Sequence, residues 1–370
     1  MGIMNKTQKS PLFFRDKPLF GLDIGPTSLK VMQVNQTATR VNGKMSALPQ
    51  VVGYGFTTFD RAATSDGVIV QHEIIAKAAR ELFDQHLIGD ITTNRVALAI
   101  PAYRTFTRSL ELPLLKSKEF SEAVELEAEQ YVSMPLDDLY LDYEVTKKTT
   151  ANTELFAVAV PRTIVDSYLE LADVLGLETV LIEPTLSSSG RLFSLDNQSD
   201  IPAVIIDFGS KSADISIYDE HMLVTGTVQA GGETFTNLIK DKLGVSLAEA
   251  GLIKTKYGLG VSRRQKEIIQ ALDPILNQLV KEIKRMMRYH EERYGADRPI
   301  QQIITLGGGA NMPGLSDYLT NILRLAVRHT NPWQFLNYKG LQPPSDADKP
   351  MYATVAGLCL ANPKRVFEND

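Results

Sequence analysis

The feature that most constrains this chain is a turn that occurs twice. GLDIGPTSLKVMQV (21–34) and IIDFGSKSADISIY (205–218) share one pattern. Each has an apolar stretch, Asp, an apolar residue, Gly, two or three small or polar residues, and a second apolar stretch. Apolar segments flanking a glycine turn read as a β-hairpin. Asp23 and Asp207 are separated by about half of the 370 residues. A repeat at that distance has the scale of a domain, unlike the 20–50-residue period of a solenoid. The spacing predicts two related halves.

The segments between the turns fill in an α/β chain. Residues 1–18 are polar and basic, interrupted by Leu12-Phe13-Phe14, and read as a mobile tail. VVGYGFTTF (51–59) extends the first hairpin by a strand. The spacing of Ile74, Ile75, Ala78, Ala79, Leu82 and Phe83 predicts a helix over about 71–88. The texture changes over 95–164. RVALAIP and TFTRSLELP read as strands, then SKEFSEAVELEAEQYV (117–132) as an acidic helix capped by Ser117. LYLDYEVTKK and ELFAVAVP follow as strands, then RTIVDSYLELADVLGL (162–177) as a helix. That order fits a small α+β insert. TVLIEPTLSSSGRLFSL (179–195) predicts a buried strand and a helix beginning near Pro184, and DNQSDIP (196–202) is a candidate hinge.

The second half carries helices at 234–243 and 266–295. Ile268, Ile269, Leu272, Ile275, Leu279, Ile283 and Met286 recur along the latter as a core-facing stripe. Its Lys281, Lys284, Arg285 and Arg288, among Glu282, Glu291 and Glu292, read as a solvated face. IQQIITLGGGANMPGLSDYLTNIL (300–323) reads as strand, glycine turn and helix. MYATVAGLCLANP (351–363) reads as a final helix with Cys359 as a small buried hydrophobe.

Two Asp-x-Gly hairpins and a glycine-rich turn need one chemical explanation. Glycine allows close backbone approach, and turn N–H groups can surround a phosphate. Gly25, Thr27, Ser28 and Lys30 form one candidate phosphate loop; Gly209, Ser210, Lys211 and Ser212 form a second. Two such hairpins facing each other would clamp a polyphosphate. A carboxylate beside a phosphate repels it unless a cation lies between, and Mg²⁺ binds one or two carboxylates together with phosphate oxygens. Asp23 and Asp207 fit that role. Gly307-Gly308-Gly309 would let a flat ring lie against backbone.

Several classes are excluded as motifs. The dinucleotide fingerprint fails because Met312 stands where its third glycine is required, and no P-loop, H-E-x-x-H or G-x-S-x-G occurs. The five histidines are scattered and the single cysteine excludes an internal disulfide. A net charge of −5 argues against nucleic-acid binding through bulk positive charge. With 44% hydrophobic and 22% charged residues, no apolar run near 20 residues and no signal-peptide core, the expectation is a cytoplasmic multidomain protein.

These pieces, in this order, resemble the actin-like ATPase superfamily. Asp23-Ile24-Gly25 resembles its first phosphate motif, Asp207-Phe208-Gly209 its second, and Gly307-Gly308-Gly309 its adenosine motif. Glu183-Pro184, opening a run of small residues, resembles the first connecting element. In bacterial members a Glu or Gln there orients the attacking water, so the resemblance makes Glu183 and Asp207 the catalytic candidates. Gly231-Gly232-Glu233 follows the second hairpin as in chaperone and FtsA-like members. RSLELP (108–113), Glu122, Glu125, Glu127, Met134-Pro135, Asp142-Tyr143 and GGANMPGLSDYL narrow the resemblance to the PilM family of the FtsA-like branch, over about 19–362.

The resemblance implies an actin-like ATPase fold of two related halves with an FtsA-like α+β insert (subdomain 1C). The implied division is a tail at 1–18, subdomain 1A from 19–94 with 165–200 and 350–365, and 1C from 95–164. Subdomain 2A takes 201–230 with 300–349, and 2B takes 231–299. ATP and Mg²⁺ are the implied ligands, with at most slow turnover. Gly232, Glu233 and Lys254 join the cofactor residues. The implied partners are the N-terminal cytoplasmic peptide of PilN, the PilN–PilO inner-membrane complex and the pilus motor ATPases. A homo-oligomer is a further implied form, with membrane attachment only through partners. Relatives carry Ala-Glu-x-x-Lys near the nucleotide. Here Ala250-Gly251-Leu252-Ile253-Lys254 keeps the lysine and replaces the glutamate by Gly251, with Glu249 as an alternative register. An FtsA-like cell-division scaffold and a small-molecule kinase remain as alternatives. The first would need a membrane helix beyond ANPKRVFEND, and the second a catalytic Asp such as Asp66.

Overall fold

Apolar strands on either side of the two Asp-x-Gly turns build the sheets, and the helices cover them. The computed structural model describes residues 17–35, 40–41, 44–45, 48–115, 117–196, 198–295, 297–338 and 340–361. The tail read at 1–18 therefore lies outside the described residues up to residue 16, as does Leu12-Phe13-Phe14. The chain divides into two units. One takes 1–192, 333–343 and 354–370, and the other takes 193–332 and 344–353.

In the first unit β1 (Phe20–Ile24), β2 (Ser28–Asn35) and β3 (Gln50–Thr58) form an antiparallel meander. Helix α1 (His72–Glu81) buries Ile75, Ala76, Ala78 and Ala79. It ends earlier than the predicted 88. A π-helical turn covers Leu82–His86, and β4 (Leu87–Gly89) then pairs with β3. The pairing wins because Gly53 and Gly55 of β3 let this segment lie flat against the strand. A Cβ on Gly53 would sit 2.6 Å from the Asp90 nitrogen, and one on Gly55 2.8 Å from Leu82 Cδ1.

Strand β5 (Arg95–Ile100) runs parallel to β1. The chain then builds a separate antiparallel sheet from β6 (Phe106–Pro113), β7 (Leu139–Lys148) and β8 (Asn152–Pro161), in the order β6-β8-β7. Helix α2 (Ser117–Tyr131) covers one face of it through Phe120 and Val124 on Leu110, Leu112 and Leu155. The side chain of Ser117 is outside the described residues. Helix α3 (Arg162–Val174) leads to β9 (Glu178–Pro184), parallel to β5, and α4 (Thr185–Phe193) follows. The six-stranded sheet has the order β9-β5-β1-β2-β3-β4.

The insert is thus smaller than 95–164. RVALAI is buried at all six positions and lies between two parallel neighbours in the main sheet. A continuous apolar run is what a parallel strand covered on both faces requires.

The second unit repeats the plan. β10 (Ala203–Phe208), β11 (Ala213–Asp219) and β12 (His221–Val228) form the meander, and β13 (Gln302–Leu306) and β14 (Ala326–His329) add in parallel. The order β12-β11-β10-β13-β14 matches β3-β2-β1-β5-β9 strand for strand. Between β12 and β13 come α5 (Gly232–Leu243), α6 (Leu247–Lys256) and α7 (Gln265–Tyr294). Ile268, Leu272, Leu279, Ile283 and Met286 of α7 join the cluster of Val204, Ile206, Ile215 and Ile217 from the sheet. Helices α8 (Leu315–Leu323) and α9 (Ala353–Cys359) complete the set. Cys359 is buried and its thiol donates to the Met32 carbonyl at 2.8 Å. Among the described residues no helix is long and apolar enough to cross a membrane.

Candidate functional site

The two hairpin turns close by the same bond. Gly25 N–H donates to the Ser28 carbonyl at 2.8 Å, and Gly209 N–H donates to the Ser212 carbonyl at 2.9 Å. The repeat seen in the letters is therefore a repeat of backbone geometry.

In the first unit the turn is anchored from several sides. Phe59 N–H donates to the Thr27 carbonyl at 3.0 Å, Thr64 Oγ1 to the Pro26 carbonyl at 3.0 Å, and the Tyr168 hydroxyl to the Ile24 carbonyl at 3.3 Å. Burial, and then the Asp23 charge, push the Tyr168 phenol far above its ordinary value. Asp23 lies opposite Lys30 in the strand register, and Lys30 Nζ donates to Asp23 Oδ2 at 2.9 Å. Expected to serve a cation and a phosphate respectively, the two side chains hold each other. Asp23 Oδ1 keeps its acceptor sites among the described residues.

Glu183, at the end of β9, is buried at 4% exposure. Both its oxygens accept from Arg191 of α4, at 2.6 and 2.5 Å, and Arg191 Nη1 also donates to the Gly357 carbonyl at 2.9 Å. Burial works against the Arg191 charge, but the Glu183 carboxylate outweighs it and raises the guanidinium pKa. A bidentate pair of this kind fixes α4 to its strand. The carboxylate expected to orient a water is engaged as an anchor.

The second unit gathers most of the remaining candidates in one place. Asp207 is the next-to-last residue of β10, beside the Gly-rich turn that follows β13. Gly307 has φ 80°, and a Cβ there would overlap Asp207 Oδ1 and sit 2.7 Å from the Phe208 carbonyl. Only glycine satisfies both demands. A Cβ on Gly309 would sit 2.9 Å from Phe208 Cβ, whereas Gly308 is exposed with open space around it. Helix α5 begins against the Asp207 turn. Gly232 N–H donates to the Gly209 carbonyl at 3.0 Å and Glu233 N–H to the Ser210 carbonyl at 2.8 Å. Lys254 Nζ, on α6, donates to the Gly232 carbonyl at 2.8 Å. Burial lowers the pKa of that ammonium, against the pull of Glu233.

Ser210 Oγ is a buried hydroxyl with no hydrogen-bond partner among the described residues. Such a group costs stability unless something satisfies it. It sits in the turn whose N–H groups and adjacent Lys211 suit a phosphate, so the residues present fit a nucleotide. Among the described residues no group of three or more His, Cys, Asp or Glu side chains could hold a metal ion. A cation here would need ligand oxygens besides carboxylates, as Mg²⁺ on a nucleotide has.

One residue escaped the sequence reading. Asp214 lies directly across from Asp207 in the β10–β11 register, which puts both side chains on one face of the sheet. It is buried, accepts from Thr227 Oγ1 at 2.7 Å, and has a pKa pushed up to about 6 by burial against the pull of the Thr227 and Ser212 hydroxyls. Its signal was a carboxylate seven residues after Asp207, flanked by Ala213 and Ile215. The Gly251 departure is also informative. A Cβ there would meet only Thr236 Cγ2, at 4.0 Å, so no packing demand keeps the position glycine. Glu249 is exposed on α6, its N–H held by Ser246 Oγ.

A family model for the type IV pilus assembly protein PilM matches residues 21–362. The chain belongs to the PilM family. Its fold is that of the actin-like ATPases, as expected. A solved PilM–PilN type IV pilus biogenesis complex is similar at TM-score 0.77 and 22% identity, covering 95% of this chain and 98% of that one. MreB5 of Spiroplasma citri bound to AMPPNP is similar at TM-score 0.52 and 14% identity, over 92% of this chain and 95% of that one. The cell division protein FtsA of Enterococcus faecalis (strain ATCC 700802 / V583) is 24% identical over 370 residues, covering 88% of this chain and 80% of its own length. Membership makes this chain a type IV pilus assembly protein with an actin-like scaffold.

Proposed function

We propose that this scaffold binds ATP with Mg²⁺ and works in the cytoplasm, peripheral to the inner membrane, in a type IV pilus or related secretion or competence assembly complex. The observation that carries the nucleotide reading is the packing of Gly307 onto Asp207, beside the unpartnered Ser210 hydroxyl. Gly209, Ser210, Lys211 and Ser212 would offer donors to phosphate, and Asp207 would hold the cation. Gly232, Glu233 and Lys254 would border the sugar and base, with Gly307, Gly308 and Gly309 under the ring. In the first unit, Gly25, Thr27, Ser28, Lys30 and Asp23 are proposed as a phosphate and cation loop in their own right, once Lys30 releases Asp23. The bound cation would neutralise phosphate charge.

Glu183 is engaged by Arg191, and we propose that turnover is slow or absent. Nucleotide state then acts by differential affinity, favouring the conformation that binds a partner better. The proposed partner is the N-terminal cytoplasmic peptide of PilN. The PilM–PilN complex among similar structures supports this. Through PilN the chain would join PilN–PilO and reach the motor ATPases.

Calorimetric titration of ATP-Mg²⁺ into wild type and Asp207→Ala tests the nucleotide claim. A loss of at least ~10-fold in affinity is expected. Equal affinity in both proteins would overturn the proposed site. A labelled PilN N-terminal peptide, titrated with and without ATP, tests the partner claim, which fails if the peptide does not bind.

A further inference from the structure

A run without carboxylates crosses from the end of α6 into the start of α7. Residues 252–266 hold Lys254, Lys256, Arg263, Arg264 and Lys266 and no Asp or Glu, in a chain of net charge −5. Lys254 is turned to the Gly232 carbonyl, while the other four are exposed. Among the described residues none of these four has a carboxylate partner, and Lys256 Nζ lies 5.4 Å from the centre of the Tyr257 ring. Apolar side chains stand among them. Val261 is 96% exposed, and Leu252 is exposed on α6 four residues before Lys256, so the two share one face of that helix.

The loop that carries Val261 is held at its base. Leu259 is buried in the core of the second unit, its N–H donates to the Pro313 carbonyl at 2.7 Å, and Gln265 Nε2 donates to the Leu259 carbonyl at 2.9 Å. Gly258 has φ 47°, and a Cβ there would sit 2.6 Å from the Pro313 carbonyl oxygen. A fixed base therefore presents Val261 outward, two residues after buried Leu259 and two before Arg263. One exposed valine is ordinary on a protein surface. An apolar tip set among unpaired cations has instead the composition of an interfacial membrane contact. We propose that this corner rests on an anionic lipid bilayer. Val261 enters the headgroup boundary, Arg263, Arg264 and Lys266 meet lipid phosphates, and Leu252 and Lys256 form the adjoining edge. Charge selects an anionic occupant, and shape selects lipid over an acidic protein. Val261 is a protruding tip, and a headgroup layer opens around a tip where a folded partner would need a matching groove. The contact requires neither nucleotide nor the PilN peptide, so it stands apart from the function proposed above.

Flotation of the full chain with vesicles, without nucleotide or peptide, tests this. At about 50 mM salt, phosphatidylcholine vesicles with about 30% phosphatidylglycerol should carry the chain, and phosphatidylcholine alone should not. At about 500 mM, where screening shortens the reach of charge to a few ångströms, binding should weaken at least ~10-fold. Arg263→Glu/Arg264→Glu should weaken it at least ~30-fold, and Val261→Asp at least ~10-fold. These positions are exposed, so circular dichroism should match wild type. A polarity-sensitive dye on Val261→Cys should shift to the blue on the anionic vesicles; Cys359 is buried, which directs the dye to position 261. The proposal is overturned if wild type does not float with the anionic vesicles, if either variant floats as wild type does, or if the dye stays unshifted. Capture of polyglutamate with no binding to vesicles would assign the corner to an acidic protein and overturn it as well.

Discussion

Asp214→Asn is expected to make this protein more stable at neutral pH. Asp214 keeps only 7% of its surface exposed, and burial lifts its carboxyl from the ordinary 3.8 to about 6. At 1.36 kcal/mol per pH unit, holding it ionised in the fold costs about 3 kcal/mol above pH 6. The sign follows from proton binding. Between pH 3.8 and about 6 the folded chain binds a proton that the unfolded chain does not, so stability falls as pH rises. The contribution is fully present below 3.8 and lost as pH climbs through about 6. Asparagine has the same shape, carries no charge and can still accept from Thr227 Oγ1. It should therefore gain about 3 kcal/mol at pH 7.5 and about half of that at pH 5. For a unit of this size each kcal/mol moves the melting midpoint by about 2–4 °C. The assay is thermal unfolding by circular dichroism at both pH values. A gain equal at pH 5 and 7.5, or no gain at 7.5, would refute the reasoning, because only a titrating buried carboxylate makes the two differ. The gain also has a functional reading: a carboxylate retained at this cost beside Asp207 is the kind of strain that sites keep.

Further outcomes follow from individual contacts. Gly307→Ala should cost at least about 1–3 kcal/mol, since φ 80° and the overlap with Asp207 Oδ1 both oppose a Cβ, and should weaken ATP-Mg²⁺ binding in calorimetry. Arg191→Met should lower stability by about 3–5 kcal/mol by leaving Glu183 buried and unpaired, whereas Glu183→Leu with Arg191→Met should recover most of it in urea titrations. Gly251→Glu should raise ATP affinity without loss of stability, because the space around Gly251 is open; unchanged binding would remove this position from the nucleotide contact.

Two hairpins were legible because their turns are written in residues with narrow conformational meaning. A glycine between two apolar strands leaves few alternatives. The core stripe of α7 was legible for the same reason: seven apolar residues at helical spacing admit one buried face. The insert boundary was not, because RVALAI reads equally well as a strand of either sheet until its neighbours are known. Strand β12 and helix α6 were missed. The first has Gly226 between Thr225 and Thr227, which interrupts its apolar run, and the second exposes Leu247 and Leu252, which blurs its apolar face.

Sequence by itself determined that this chain has two equivalent Asp-x-Gly turns, a glycine turn after a late strand, and two different insertions. These are local facts, fixed by backbone permissiveness and periodicity. Tertiary structure decided what each charged side chain does. Lys30 is held by Asp23, Glu183 by Arg191, and Asp214 is sealed across from Asp207. No spacing rule contains these pairings, because a carboxylate's role depends on which cation, hydroxyl or water it faces once the chain has folded, and on how much solvent the fold has taken away.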